Sequence, residues 1–103
     1  MAVRTGGGTK FASRQEEKLK EPEEYRVILL NDHYTTMDFV VEILMDIFHK
    51  NEEEAYHIMM DVHRKGRGVV GLYPWDIAMT KAEQVHVLAR QQEYPLRCIV
   101  EQA

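Results

Sequence analysis

Tyr25-Arg26-Val27-Ile28-Leu29-Leu30, followed at once by Asn31-Asp32-His33-Tyr34-Thr35-Thr36-Met37, decides how this chain folds. The first part is short, apolar and β-branched, the composition of a buried strand. The second part packs an amide, a carboxylate, an imidazole, a phenol and two hydroxyls into seven positions. Asn31 and Asp32 end a strand as turn residues do. From Met37 to Phe48, apolar residues recur at Val40, Ile43, Leu44 and Ile47, the i, i+3, i+4, i+7 stripe of an amphipathic helix, widened by Phe39 and Phe48. Thr35 is the expected N-cap of that helix, with Asp38 three residues on in a capping-box position. A polar loop between two buried elements is either a strand-to-helix turn or a binding site. The residues of the loop leave both readings open.

Downstream, the helix should end near His49 to Asn51. Asn51 then caps a second helix whose first turn holds Glu52, Glu53 and Glu54, where the helix dipole favours negative charge. Its stripe is Ala55, Ile58, Met59 and Val62. His63, Arg64 and Lys65 suit its last turn, and Gly66 suits the position just beyond. Gly68 to Tyr73 reads as a second strand, ended by Pro74, which opens a third helix running to about Glu93. Leu96 to Glu101 is a third strand with Leu96, Cys98 and Val100 on one face. The order β-α-α-β-α-β, with short strands, predicts an α/β (α+β) domain: a small three-stranded antiparallel sheet packed against three helices on one face.

Upstream, residues 1–22 contain a Gly6-Gly7-Gly8 run and scattered apolar residues, too few to offset the entropy of ordering. They are expected to form a flexible N-terminal extension, bounded by Pro22, with the core domain over 23–103. The extension holds five basic and three acidic residues, so the rest of the chain carries about −6 of the formal −4 total. An acidic body argues against a phosphate-backbone binder and would steer a cationic ligand. No apolar run approaches the ~20 residues of a membrane helix, and no secretory signal is evident, so a cytoplasmic protein is expected.

The five histidines raise the question of a metal site or an enzyme. His49, His57 and His86 have no flanking ligand pattern, and neither His-Glu-x-x-His nor Cys-x-x-Cys occurs. Cys98, the single cysteine, falls on the expected core face of a strand, a poor place for a nucleophile. Phosphate-binding glycine loops and nucleophile elbows are absent as well. His63 lies beside the apolar stripe of the second helix and reads either as a capping histidine or as a site residue. Met59 and Met60 are ordinary core filler that can also line adaptable pockets.

Asn31-Asp32-His33-Tyr34-Thr35-Thr36-Met37-Asp38-Phe39-Val40 resembles the Asn-Asp-Asp-Tyr-Thr-Pro-Met-Glu-Phe-Val signature of the ClpS family. Met59-Met60-Asp61-Val62-His63 resembles that family's second helix, Asp76, Thr80 and Lys81 its third, and Tyr94-Pro95-Leu96-Arg97-Cys98 its closing strand. The likeness runs over roughly residues 23 to 103 without a gap. It implies an adaptor of the N-end rule, not an enzyme. Such a protein binds proteins beginning with Leu, Phe, Tyr or Trp and delivers them to a Clp AAA+ unfoldase and its protease. By position, Asn31, Asp32, His33 and His63 would face the α-amino group. Leu30, Thr35, Met37, Val40, Met59, Val62 and Leu96 would line the side-chain pocket, with Met37 at its mouth. Asp76, Thr80 and Lys81 would lie on the face docked by the N-terminal domain of a ClpA-like or ClpC-like unfoldase, and the extension would act in delivery. No cofactor and no metal are implied, and a monomer is expected.

Two departures stand out. His33 occupies the place of the family's second Asp, and Thr36 that of its Pro. Loss of a carboxylate beside a cation predicts weaker amine binding, falling further as the imidazole protonates. The rival readings are a ClpS-fold protein with altered or lost specificity, and a metal-dependent enzyme using His33, His63 and Asp32.

Overall fold

The computed structural model describes residues 23–103 of the chain; the extension expected over 1–22 lies outside the described residues. The elements, in order, are β1 (Glu24–Leu30), α1 (Met37–Asp46), α2 (Glu52–Lys65), β2 (Arg67–Pro74), α3 (Trp75–Gln91) and β3 (Arg97–Gln102). This is the predicted β-α-α-β-α-β order. The sheet has the order β2-β1-β3, with β1 antiparallel to both neighbours.

Alternation along β1 sorts its side chains. Val27 and Leu29 point into the core with Val70 and Cys98, beneath Val40, Ile43, Leu44, Val62, Ala82 and Val85 of the helices. Burial pushes the Cys98 thiol up to about 12, so it stays protonated and serves as a small apolar residue. Fully burying a side chain such as Leu29 or Leu44 stabilises the fold by about 1.5–3 kcal/mol. The register shifts between Val27 and Ile28, which leaves Val70 as the extra residue of a bulge in β2.

α1 and α2 both begin on a residue whose side chain caps the first turn, whereas α3 begins after Pro74 without a side-chain cap. The N-cap of α1 is Thr36, not the expected Thr35: the Thr36 hydroxyl accepts from the Phe39 N–H at 3.1 Å. Thr35 is unavailable because its own N–H and hydroxyl are bound to Asp32. Regular α1 stops at Asp46, two residues short of Phe48. His49 then adopts φ 58, and the Lys50 N–H reaches back to the Leu44 carbonyl at 3.0 Å. Asn51 caps α2 in a complete capping box with Glu54, and Gly66 closes it at φ 88. Lys81 of α3 donates from its ammonium to the Ile47 carbonyl at 2.8 Å, with the rings of Phe48 and Tyr73 alongside, and so satisfies the end of α1. On the edge strand β3, the Cys98 N–H donates to Nε2 of His86 at 3.0 Å. That contact covers one open donor of the sheet edge.

α2 sits close against β2. A Cβ on Gly68 would lie 2.8 Å from Cγ2 of Val62 and 3.0 Å from the Ile58 carbonyl oxygen. Only glycine permits this approach, and it holds Met59 and Val62 near the start of α1.

Candidate functional site

Asp32 organises the loop after β1. Its Oδ1 accepts from the Tyr34 N–H at 2.8 Å and the Thr35 N–H at 2.7 Å, and its Oδ2 accepts from the Thr35 hydroxyl at 2.8 Å. Partial burial by itself would raise its carboxyl. The bonds from Thr35 and Tyr34, with the charge of His33, outweigh that and hold it below the usual carboxylate range. Both oxygens are therefore already hydrogen-bonded within the loop. One residue upstream, the Asn31 N–H donates to the Gly66 carbonyl at 3.0 Å, which ties the loop to the turn after α2.

This bond brings together residues from β1's end, α1 and α2 around a cavity of about 260 Å³, lined by Asn31, Asp32, His33, Thr35, Met37, Val40, Met59, Val62 and His63. The cavity is two-sided. Val40, Met59 and Val62, each 5% exposed or less, form an apolar floor. Asn31, His33 and His63 stand exposed at the polar rim, and Met37, 43% exposed, flanks the mouth. An amide oxygen and unprotonated imidazole nitrogens are acceptors suited to an ammonium group, while the floor suits an apolar side chain.

Of the residues expected here, nine are brought together and two are not. Leu96 is 4% exposed within the hydrophobic core, and Leu30 is half-buried at the end of β1; neither lines the cavity. Asp76 and Thr80 are exposed on α3, beside Ile77 and Gln84 in a shallow groove of about 220 Å³ that Lys81 also touches. The Lys81 ammonium, however, is held by the end of α1. Sequence reasoning missed the structural work of Gly68 and His86. A glycine opening a strand that follows a glycine-capped helix was the available signal for the first; the second rests on a contact between residues 12 apart. Among the described residues, no group of three or more His, Cys, Asp or Glu side chains could hold a metal ion. No helix there is long and apolar enough to cross a membrane.

Residues 20–99 match the family described as ATP-dependent Clp protease adaptor protein ClpS. The ATP-dependent Clp protease adapter protein ClpS of Syntrophus aciditrophicus is 66% identical over 87 residues, covering 84% of this chain and 81% of that protein. The protein of the same description from Nautilia profundicola is 51% identical over 94 residues, covering 91% of this chain and 97% of its own. Among solved structures, Agrobacterium tumefaciens ClpS2 bound to L-phenylalaninamide is similar, with a TM-score of 0.78 and 37% identity, covering 81% of this chain and 100% of that one.

Proposed function

Because the chain belongs to the ClpS family, whose members are adaptors of the Clp protease rather than enzymes, we infer that its cavity captures cytoplasmic proteins by a bulky apolar first residue (Leu, Phe, Tyr or Trp) and its free α-amino group. Delivery to the N-terminal domain of a ClpA-like or ClpC-like unfoldase completes the role. The observation that carries this reading is the two-sided cavity: acceptors on Asn31 and His63 at the rim, apolar Val40, Met59 and Val62 below. The likeness to a ClpS2 bound to L-phenylalaninamide supports it, since that ligand combines an amine with an apolar side chain.

The energetics demand both halves of the ligand. Hydrogen bonds to a charged amine are worth about 1.5–3 kcal/mol each, and burying a Leu or Phe side chain adds about 1.5–3 kcal/mol. After ordering costs, a total near −8 kcal/mol, or roughly micromolar affinity, is expected. An internal leucine offers only the side chain and fails. Met37 at the mouth would crowd a branch at Cβ of the first residue. Asp32 acts through its charge and through the loop it holds, because its oxygens already have partners.

Fluorescence anisotropy with Leu-initiated, Val-initiated and N-acetylated Leu-initiated peptides tests the reading; only the first should bind. A second reading is favoured by one observation: Asp32 is the lone carboxylate of the lining, and His33 stands where the family has an acid. A protein that binds none of the three peptides yet docks on the unfoldase would have the ClpS fold with a changed specificity.

A further inference from the structure

Glu23, the first described residue, is a wall of a second cavity. It has a volume of about 320 Å³ and is lined by Glu23, Tyr25, Pro74, Trp75 and Asp76. Tyr25 and Trp75 meet edge to face, with ring centroids 5.1 Å apart and planes at 66°. The Tyr25 hydroxyl donates to Oε1 of Glu23 at 3.0 Å, which holds that carboxylate beside the rings. Trp75 remains 50% exposed, so its ring is open to a ligand.

Charge defines the ligand. Glu23 and Asp76 bring two negative charges to the wall. Against them stands the N-terminus of α3, which has no side-chain cap and carries about half a positive charge. Asp76, in the first turn, answers that end of the helix, and Glu23 is left over. Among the described residues, no basic side chain forms an ion pair with either carboxylate. The cations nearest in sequence are held elsewhere. Lys81 donates to the Ile47 carbonyl. Arg26 points to the sheet face opposite Tyr25 and reaches the Gln102 carbonyl at 3.5 Å. Two aromatic rings beside an excess of carboxylate suit an alkylammonium or guanidinium group.

We propose that this cavity receives a lysine ammonium from the same chain, that of Lys18 or Lys20. The chain enters the described body at the cavity wall, directly after Lys18-Leu19-Lys20-Glu21-Pro22, a stretch with two basic residues and one acidic. Lys20 is three residues from Glu23 and Lys18 five, a span of at most about 10–18 Å before the length of the side chain is added. Magnitude decides the occupant. One exposed cation–aromatic contact with one exposed ion pair shifts an equilibrium by roughly 3- to 30-fold. A separate protein must also offset its lost translational and rotational freedom, which so small a gain does not cover. A side chain tethered beside the wall escapes that cost. Asp76 also borders the shallow groove of Ile77, Thr80 and Lys81, so occupancy would fix residues 18–22 beside the expected docking face. The inference stands independently of the amine cavity and its ligand.

Trp75 is the only tryptophan of the chain, so its fluorescence in the full-length protein reports on this cavity. The double variant Lys18→Gln/Lys20→Gln should raise acrylamide quenching of Trp75 about twofold, because the preference for a covered ring is lost. High salt should do the same to the parent and leave the double variant as it is. Glu23→Gln should raise quenching in the parent and add nothing in the double variant, since the carboxylate then has no lysine to hold. Lys10→Gln, farther along the chain, should match the parent. All values should be independent of protein concentration, and binding of a Leu-initiated peptide should be unchanged. If Glu23→Gln fails to fold, the salt titration of parent against double variant carries the test. Equal quenching of parent and double variant, additive effects with Glu23→Gln, or an equal effect of Lys10→Gln would overturn the proposal. Shielding of Trp75 that grows with protein concentration would overturn it too, by assigning the occupant to a second copy.

Discussion

Replacing Gly68 by alanine should push α2 off the sheet and disturb the cavity, although Gly68 itself does not line it. The added Cβ would lie 2.8 Å from Cγ2 of Val62, 3.0 Å from the Ile58 carbonyl oxygen and 3.4 Å from Cγ2 of Ile58. Carbon atoms in good contact are about 3.5–4.0 Å apart, so the nearest pair is short by roughly 0.7 Å or more. Val62 cannot swing aside, because a valine within a helix has a single preferred χ1 well. The Ile58 oxygen is backbone and moves only with α2. Overpacking of this kind costs about 1–3 kcal/mol. Alanine also restricts the unfolded chain, which returns about 0.4–1 kcal/mol. A net loss of about 1–2 kcal/mol is expected, and each kcal/mol lowers the melting temperature of so small a domain by about 4–8 °C. Urea unfolding with an unchanged m-value measures the loss, and affinity for a Leu-initiated peptide should fall with it, since Met59 and Val62 move. Trimming the obstacle should recover part of the cost, so Gly68→Ala and Val62→Ala should couple favourably by at least about 0.5 kcal/mol in a double-mutant cycle. A Gly68→Ala protein as stable as the parent, or additive losses in the cycle, would refute the reasoning.

Four further outcomes are expected. His33→Asp should tighten binding of a Leu-initiated peptide, because it places a second carboxylate in the cavity lining beside the ammonium; equal affinity for the two proteins would count against a role for His33 at the amine. Asp32 has a lowered carboxyl, so the stability it contributes is fully present above its ordinary value of about 3.9 and is lost as pH falls through the lower folded value; the stability gap between parent and Asp32→Asn should therefore close in acid denaturation at the lowest pH. His86→Ala should speed hydrogen exchange at the Cys98 amide and cost about 1 kcal/mol; unchanged exchange would show that Nε2 is not its acceptor. Lys81→Met should lower stability by about 1 kcal/mol, because the Ile47 carbonyl loses its donor, and a melt run beside any unfoldase-docking assay separates that loss from a docking defect.

Local pattern carried most of the fold. The apolar spacing of α1 and α2, the Asn51 cap and the Gly66 terminus are properties of adjacent residues, so they were legible without the structure. Thr35 and Thr36 were not separable in this way. Either hydroxyl can cap a helix, and only the bonds that Asp32 draws from Thr35 show which is free to do so. Leu96 has the right chemistry for a pocket wall, but its depth in the core is set by how α3 and β3 pack, which no spacing records. The contact of Lys81 with Ile47 links residues 34 apart, and that between His86 and Cys98 crosses from helix to strand. The wall of the candidate site was readable from the two helical stripes together with the family likeness; the engagement of Asp32 within its own loop was not.

The bond from Asn31 to Gly66 has a kinetic consequence. It joins the two sides of the cavity before any ligand arrives, and Asp32 fixes the loop between them. A receptor already in its bound shape has little to rearrange, so association should proceed at about 10⁵–10⁷ M⁻¹s⁻¹, limited by encounter and orientation. With affinity near micromolar, dissociation then falls at roughly 0.1–10 s⁻¹. Cargo would stay bound for about a second, long enough for an adaptor to meet its unfoldase and short enough to let go.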